Sequence, residues 1–238
     1  MSNPPGPGST LASEHRPMVL ASQSPSRRQL LRAAGINPVV IVSEVDESEV
    51  AARLHAAHPA GRLPTGELAL ALAEAKAVDV ANRVRAGGFG DADVAMDWDP
   101  AAAVIVAADS LADVDGVTLG KATGPADAIA RVTALSAGSL YLHTGHCVID
   151  LATGRQRSAV RATRVDFAAV SEAEVCAYVA SGEPLGVAGC FTLEGYAAPF
   201  IEGIDGDPSN VMGLSLPLLR RLLNELDVQW LQIVNCML

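Results

Sequence analysis

The sequence predicts an α/β protein in which helices alternate with strands and some of the strands run antiparallel. Short apolar runs at 18–21 and 104–107 have the length and composition of buried strands. Between them, residues 65–85 form an Ala- and Leu-rich stretch with strong helix propensity. Two strand-like segments, 140–149 and 157–167, flank a short turn and predict a hairpin or meander. With 238 residues, half of them hydrophobic, the chain can bury a sizeable core.

The first helix is predicted to begin at Pro25, directly after the first strand. Ser24 is a favourable N-cap, and proline fits the first helical position because its missing N–H costs nothing there. Arg27 and Arg28 occupy the first turn, where the helix macrodipole favours carboxylates. A bound phosphate would reverse this penalty, since the free N–H groups, the serine hydroxyl and the guanidinium groups could all face one anion. The alternative, two arginines that point into solvent, stays open on this segment alone.

The next part of the chain alternates between strand, loop and helix. A β-branched run at 38–42 fits a second buried strand. Four acidic residues predict a loop after it: Glu44, Asp46, Glu47 and Glu49. Thr65 and the acid two residues later mark the start of the long helix, which is expected to end near Arg85. Residues 86–102 are rich in glycine and aspartate, lack a sustained period and predict an exposed loop.

The second half of the chain carries three more predicted helices. Residues 125–135 have helical spacing. A helix over 171–180 starts with the capping-box pattern of Ser171 and Glu174. The last helix is predicted over 214–226.

Composition argues against several classes of function. The formal net charge of -10 repels polyanions, so we expect no binding to a nucleic-acid polymer or an acidic membrane surface. A small anion carried with a metal cation remains compatible with this charge. Residues 1–17, rich in Pro, Gly and Ser, predict a disordered tail, not a signal peptide or membrane anchor. No later segment reaches the roughly 18 apolar residues of a membrane span, and we expect a cytoplasmic protein.

Three further patterns in the sequence do not predict functional sites. The cysteines form no CxxC pair and are expected to be reduced core residues: Cys147, Cys176, Cys190 and Cys236. His143 and His146 would point to opposite faces of a strand, which argues against a shared metal ion. Segment 205–209 departs from a calcium loop where that loop needs Gly and Glu, and it predicts a structured turn.

Asp109 is the strongest candidate for chemistry on physical grounds. It follows the buried run at 104–107, and a carboxylate that ends such a strand lies where open α/β sheets place their ligand crevice. The alternative is a turn-forming aspartate. Lys121 belongs to a segment, 116–122, that resembles a phosphate loop but has the wrong glycine spacing and lacks the metal-binding hydroxyl. This lysine could meet a phosphate as a point charge, or it could be an ordinary solvated lysine.

A series of short motifs, taken in order along the chain, resembles the Maf family, the septum-formation proteins that act as nucleoside triphosphate pyrophosphatases. The motifs are Leu20-Ala21-Ser22-Gln23-Ser24-Pro25 with Arg27 and Leu30-Leu31, Ala107-Ala108-Asp109-Ser110, Leu119-Gly120-Lys121, the run 141–145, Ser181-Gly182-Glu183-Pro184, Ala188-Gly189 and Ser209-Asn210-Val211-Met212-Gly213-Leu214. The resemblance extends from about residue 19 to 226 and omits only the N-terminal tail and the 86–102 loop.

This resemblance implies the fold and its organisation. The family has a two-lobed α/β fold related to the inosine triphosphatases, with a central mixed, twisted sheet flanked by helices and a nucleotide cleft between the lobes. Residues 18–230 would form one such domain with two lobes, preceded by the disordered tail 1–17 and carrying 86–102 as an exposed insertion loop. The family often forms homodimers, which implies a homodimer here.

The resemblance also implies roles for individual residues. The family's catalytic aspartate falls on Asp109, in agreement with the place of this residue after the buried run. Its phosphate-contacting serine and arginine fall on Ser24 and Arg27. Its remaining catalytic positions, two lysines and a second acid, fall on Lys76, Lys121 and Glu47. Without the resemblance, the lysine at 76 reads as a solvated helix residue and the acid at 47 as a loop residue.

A divalent cation completes the implied mechanism. Mg²⁺ or Mn²⁺ would bridge Glu47, Asp109 and the triphosphate. Asp109, or a water molecule that it orients, would act as the base for attack on the α-phosphorus, with pyrophosphate as the leaving group.

Three further positions sort substrates within the family, and here they are Ser26, Ser110 and Glu194. The family resemblance implies that the branch acting on dTTP and UTP has Arg, Thr and Gln at these positions, whereas the branch acting on 7-methylguanosine triphosphate has Trp, Gln and Glu. Glu194 follows the second pattern, and its carboxylate can accept from both N1–H and the N2 amine of a guanine. Ser26 supplies no stacking surface. The combination predicts a selectivity that matches neither branch, with a lean towards purines or modified bases.

The function expected from the sequence is therefore a metal-dependent nucleoside triphosphate pyrophosphatase, with removal of noncanonical nucleotides as one purpose. The alternative is a nucleotide-binding regulator of cell division or septum formation that acts through a protein partner without turnover. The set of acids and lysines favours the enzyme, because a pure binder has no need for a base at the α-phosphate.

Overall fold

A computed structural model describes residues 15–89 and 98–235. The described chain forms a seven-stranded mixed sheet flanked by helices, which confirms the predicted α/β class. The strands are β1 (Met18–Leu20), β2 (Val39–Val40), β3 (Val104–Val114), β4 (Val117–Leu119), β5 (Ser139–Asp150), β6 (Gln156–Phe167) and β7 (Ile201–Asp205). The α-helices are α1 (Pro25–Ala33), α2 (Glu47–Ala57), α3 (Thr65–Arg85), α4 (Pro125–Leu135), α5 (Glu172–Ala180), α6 (Pro208–Val211), α7 (Leu216–Asn224) and α8 (Trp230–Ile233).

The sheet has a parallel part and an antiparallel part that meet at β3. The strand order is β2-β1-β3-β5-β6-β7, and β4 pairs with β3 off this path. The first three of these strands run parallel, whereas β5, β6 and β7 continue the sheet antiparallel. The predicted strand pair around the turn at 150–154 is confirmed by β5 and β6. The division of residues 18–230 into two lobes stays a prediction.

One edge of β3 is interrupted. The β5 strand lies along the other edge from Val104 to Asp113. On the interrupted edge, β1 pairs with β3 as far as Val106, and β4 pairs with it from Ala112 onward. Within the described residues, no strand pairs with 107–111 on that edge. We call this stretch the β3 gap.

Apolar side chains cover both faces of the sheet, because burial of this surface stabilises the fold. Helices α1 and α7 pack on one face through residues such as Leu31 and Leu219. The opposite face is covered by α3, whose Ala73, Ala77 and Val80 lie against the central strands. A third cluster joins α4 and α5 to the antiparallel part of the sheet.

The loop predicted at the acidic cluster is instead the start of α2. The Asp46 carboxylate accepts from the backbone N–H groups of Ser48 and Glu49 at 2.9 and 3.0 Å and thereby caps the helix. Acids in the first turn are favoured by the macrodipole, so the run of carboxylates that we interpreted as a loop is a helix N-terminus.

Parts of three further predictions lie outside the described residues, namely the tail before residue 15, the 90–97 part of the loop and Cys236. Ahead of β1, Arg16 donates to Asp150 and to the Ala102 carbonyl, so contacts with the sheet begin before the first strand. Cys147 and Cys190 are buried as expected, whereas Cys176 is exposed. Among the described helices, none combines the length and apolarity needed to cross a bilayer.

Candidate active site

Lys76 joins two carboxylates at the centre of the site. Its Nζ lies 2.7 Å from a Glu47 oxygen and 2.5 Å from an Asp109 oxygen. The lysine side chain is 11% exposed and that of the aspartate 9% exposed. Lys76 belongs to the buried stripe of α3, which otherwise consists of apolar residues and Thr65. The sequence-based reading of this lysine as solvated is therefore wrong, and its place inside an apolar stripe is the signal that could have corrected it.

A glycine allows α3 to approach the sheet closely enough for this contact. Gly145 of β5 pairs directly with Asp109 of β3. A Cβ at this position would lie 2.3 Å from the Ala69 carbonyl oxygen of α3, a distance that no side chain can occupy. The helix backbone therefore rests on the glycine, and Lys76, two turns further along α3, lies over Asp109.

Asp109 is buried and lies close to charged side chains. Burial raises the pKa of this carboxyl above its ordinary value, and the positive charges of Lys76 and Arg27 oppose the rise. A raised pKa makes a carboxylate a better proton acceptor once it is ionised. Asp109 does not end its strand, because β3 continues to Val114. It lies instead in the β3 gap, just past the carboxyl end of the parallel neighbour β1.

Arg27 is buried, and it faces β3 rather than solvent. Its Nε donates to the Gly213 carbonyl at 2.7 Å, and its terminal nitrogens donate to the hydroxyls of Ser22 and Ser110 at 3.0 Å each. Burial lowers the pKa of Arg27, and the negative charges of Asp109 and Glu47 act against this. The neighbouring arginine at 28 is exposed. Of the two arginines considered for an anion site, only the first therefore belongs to this cluster.

The predicted helix start supplies the serines of the site. Ser24 caps α1, as predicted, with its hydroxyl accepting from the Arg27 N–H at 3.4 Å. The Ser24 N–H in turn donates to the Ser22 hydroxyl at 3.2 Å. Sequence reasoning assigned no role to Ser22, although a buried serine directly after an apolar strand is a detectable signal. The half-buried Ser26 makes no side-chain hydrogen bond within the described residues.

Ser110 is held by protein partners. Besides accepting from Arg27, its hydroxyl lies 2.9 Å from the hydroxyl of Thr144, which also lies 3.3 Å from the Asn210 carbonyl. Thr144 and Asn210 are both fully buried. Neither was identified as a supporting residue from the sequence, because their contacts with the site join distant segments of the chain.

Lys121 and Glu194 are not brought into contact with the cluster. Both side chains are exposed, and neither makes an ion pair or side-chain hydrogen bond in the part of the chain that the structure describes. Lys121 follows β4, which pairs Leu119 with Ala112. β4 ends at Leu119, so Lys121 lies two residues beyond the strand that borders the β3 gap. Glu194 lies in the irregular segment after β6 and α5.

The β3 gap brings groups from both faces of the sheet together. Successive side chains of a strand point to opposite faces. Accordingly, Asp109 contacts Lys76 of α3 on one face, and Ser110 contacts Arg27 of α1 on the other. Because no strand among the described residues pairs with 107–111 on the edge opposite β5, cations from both faces can act on one ligand at this edge. The arrangement can bind a polyanion and place a carboxylate base beside it.

The donor set fits a hard divalent cation. Lys76 already holds one cation, its ammonium, against oxygens of both Glu47 and Asp109. Carboxylate oxygens are ligands that Mg²⁺ and Mn²⁺ prefer. Within residues 15–89 and 98–235, no cluster of three or more His, Cys, Asp or Glu side chains is placed to hold a metal ion. The protein thus offers two carboxylates, and such sites are normally completed by substrate phosphates and water. His143 and His146, as predicted, contact different surroundings, α3 and the Ser215 backbone.

Comparison with known proteins places the chain in a family. The model of the family described as Maf-like protein matches residues 17–226. A relative from Streptomyces avermitilis named nucleoside triphosphate pyrophosphatase is 50% identical over 213 residues, which cover 90% of this chain and 92% of the relative. A relative of the same name from Thermosynechococcus vestitus is 45% identical over 219 residues, 92% of this chain and 98% of the relative. The chain belongs to the Maf family.

Proposed function

We propose that this protein hydrolyses a nucleoside triphosphate to the nucleoside monophosphate and pyrophosphate. One observation carries the proposal: Lys76 joins Glu47 to Asp109, which lies in the β3 gap. Arg27 is close enough to interact electrostatically with both carboxylates. Relatives that match about nine-tenths of the chain carry the name of this activity. A site for nucleotide binding alone would have no use for a buried carboxylate at its centre.

Asp109 is proposed as the base. A water molecule that donates to its carboxylate would lose its proton as it attacks the α-phosphorus, and the bond to the bridging oxygen of pyrophosphate would break. Burial favours this role, because it raises the pKa of Asp109 and limits competing solvent. In the free protein, Lys76 orients the carboxylate through its ion pair.

The phosphates would be held by cations and by the N-terminus of α1. Arg27 uses three of its five N–H donors in contacts with the described residues, which leaves two that could meet phosphate oxygens. Lys76 and Lys121 would neutralise the charge that builds up on the bridging and leaving oxygens, and loss of one such contact commonly raises the barrier by ~2 to 4 kcal/mol. The first turn of α1, capped by Ser24, offers backbone N–H groups to the same anion.

Glu47 and Asp109 would hold the divalent cation, Mg²⁺ or Mn²⁺. When bound, the cation would polarise the phosphoryl oxygens and offset the charge of the triphosphate. Glu47 is suited to this role by its position: it is the first residue of α2 and its side chain is 55% exposed, so it borders both the cluster and solvent.

Base selectivity is proposed to rest on Glu194 and Ser26, with a lean towards purines or modified bases. Ser110 contributes differently, since its hydroxyl is engaged with Arg27 and Thr144 and supports the phosphate-binding arginine. Homodimer formation and a cytoplasmic location complete the proposal, in keeping with the family resemblance and with the place where nucleotides are used.

The test is release of pyrophosphate and orthophosphate from a panel of standard, methylated and deaminated nucleoside triphosphates with Mg²⁺. We expect wild type to release pyrophosphate and Asp109→Asn to lose about a thousandfold in kcat, since both the base and its ion pair are gone. The asparagine has nearly the same shape, so circular dichroism of the variant should match wild type. A folded Asp109→Asn variant with substantial activity would disprove the assigned role, and nucleotide binding without turnover in wild type would disprove the activity.

A further inference from the structure

The Lys76 ammonium occupies the position that a bridging metal ion would need. It lies 2.7 Å from the Glu47 oxygen and 2.5 Å from the Asp109 oxygen. Mg²⁺ lies about 2.0 to 2.1 Å from its oxygen ligands, and Mn²⁺ accepts the same type of ligand. A cation that bridged the same two oxygens from the side that the ammonium occupies would therefore lie within bonding distance of the lysine nitrogen. The ammonium has no lone pair to offer, so the two cations exclude each other.

The cluster is also balanced in charge as it stands. Two carboxylates, Glu47 and Asp109, face two cations, Lys76 and Arg27, and all four are near enough to influence one another. A divalent ion added alone would bring two positive charges without new negative ones. In surroundings where charges are weakly screened, this addition is unfavourable unless an anion arrives with it.

We propose that Lys76 is an internal counter-cation that closes the two-carboxylate site to free divalent ions. The metal then enters together with a polyanionic ligand, whose oxygens receive the ammonium as it leaves the carboxylates. The identity of that ligand as a nucleoside triphosphate rests on the proposed function, whereas the exclusion of free metal rests on the contacts of Lys76 alone.

The surroundings of the three side chains allow this exchange. Asp109 lies on a central strand and is buried, whereas the Glu47 side chain is 55% exposed at the first residue of α2. A ligand would therefore approach from the side of Glu47. The lysine needs to move only its flexible end, because its aliphatic stem lies in the apolar stripe of α3.

The test measures binding of Mn²⁺ alone to the free protein by electron paramagnetic resonance. Wild type is expected to bind Mn²⁺ weakly, on the order of 1 mM, which is the range of the poorest carboxylate sites. Lys76→Met keeps the apolar stem, removes the competing charge and is expected to bind at least about tenfold more tightly. Lys121→Met is the matched control, since that lysine touches neither carboxylate, and it should bind Mn²⁺ as wild type does. Adding Glu47→Gln to Lys76→Met should abolish the gain, which locates the ion.

Two outcomes would overturn the proposal. One is equal Mn²⁺ affinity of wild type and a folded Lys76→Met variant. The other needs no variant: micromolar binding of Mn²⁺ by free wild type that Glu47→Gln abolishes would mean that the ammonium does not close the site. If Lys76→Met folds only in the presence of Mn²⁺, its melting temperature should rise steeply with the Mn²⁺ concentration, whereas that of wild type should not. This result would support the proposal. Absence of pyrophosphate release would instead refute the proposed function and leave these binding results standing.

Discussion

The parallel and antiparallel parts of the sheet contribute to the candidate site in different ways. Side chains from the parallel part and its helices, among them Arg27, Lys76 and Asp109, are buried and joined by hydrogen bonds and ion pairs. The candidates from the second half of the chain, Lys121 and Glu194, are exposed and make no such contact in the part that the structure describes. The difference indicates that Arg27, Lys76 and Asp109 are held in place by protein contacts before any ligand arrives, whereas a role for Lys121 or Glu194 would require a contact made by the ligand itself.

The largest loss of stability is expected when the hydrogen bonds of the buried Arg27 side chain are removed. Arg27→Met leaves the Gly213 carbonyl and two serine hydroxyls without their donor and removes a charge that balances Asp109. We expect a loss of about 3 kcal/mol in the free energy of unfolding, together with most of the turnover. Arg28→Met, one residue along the same helix, is the control and should change stability by less than about 0.5 kcal/mol. Urea unfolding of both variants measures the difference, and similar losses would contradict it.

A slightly smaller effect is expected at the close contact between α3 and β5. Gly145→Ala places a methyl group 2.3 Å from the Ala69 carbonyl oxygen, so the helix must shift away from the sheet. We expect a loss of about 2 to 3 kcal/mol and a lower kcat, because Lys76 moves with the helix. Gly186→Ala, where an added Cβ meets nothing within 4 Å, is the matched substitution and should be neutral. A neutral Gly145→Ala in thermal unfolding would show that α3 does not depend on this contact.

The third effect depends on pH and concerns His146, which joins β5 to the start of α7. Burial lowers the pKa of His146 to about 4, and the positive charge of Arg27 acts in the same direction, whereas the Thr144 carbonyl and the Asp207 charge oppose it. The ring is fully buried, and its Nε2 accepts from the Ser215 N–H. The unfolded chain binds this proton at an ordinary pKa of about 6.5, so stability is complete above that pH and falls as the pH drops towards 4.

We expect His146 to lower the free energy of unfolding by up to about 3 kcal/mol in total as the pH falls from about 6.5 to about 4. His146→Gln does not titrate there, so its unfolding free energy should change less between pH 6.5 and 4. Parallel pH profiles of variant and wild type would contradict the assignment.

The smallest effect on the fold, but a clear one on selectivity, is expected at Glu194. Glu194→Gln should leave the melting temperature unchanged because the side chain is exposed and makes no polar contact within the described residues. The ratio of kcat/KM for guanine-type over uracil-type substrates should fall by about tenfold, the value of one hydrogen bond. Glu202→Gln, an exposed acid on β7, is the control. An unchanged ratio would remove Glu194 from the base site.

Features set by neighbours in sequence were predictable. The helix starts at Ser24 and Ser171 depend on capping contacts within three residues, and both lie where the sequence placed them. The start of α2 was missed although Asp46 is equally local, because four acids within six residues were interpreted as solvated loop rather than as cap and first turn.

Features set by distant pairing were not predictable from local patterns. The length of β3 beyond Asp109 depends on its register with β5, whose paired residues lie about 30 positions further along the chain. Lys76 and Asp109 are 33 residues apart, and only the packing of α3 on the sheet brings them together. The family resemblance implies catalytic roles for both residues, and these roles stay predictions, whereas their ion pair is a tertiary contact that no motif contains.

The interruption along β3 has a consequence for the partners that this sheet can accept. An unpaired strand edge usually invites a strand from another chain, which is how sheets aggregate or capture extended peptides. Here β1 and β4 flank the opening on the same edge, so 107–111, about 17 Å of backbone, is the stretch of this edge left unpaired by the described residues. A foreign strand would collide with one neighbour or the other before it could pair. The opening thus admits a compact small molecule and is protected by its own borders against β-augmentation.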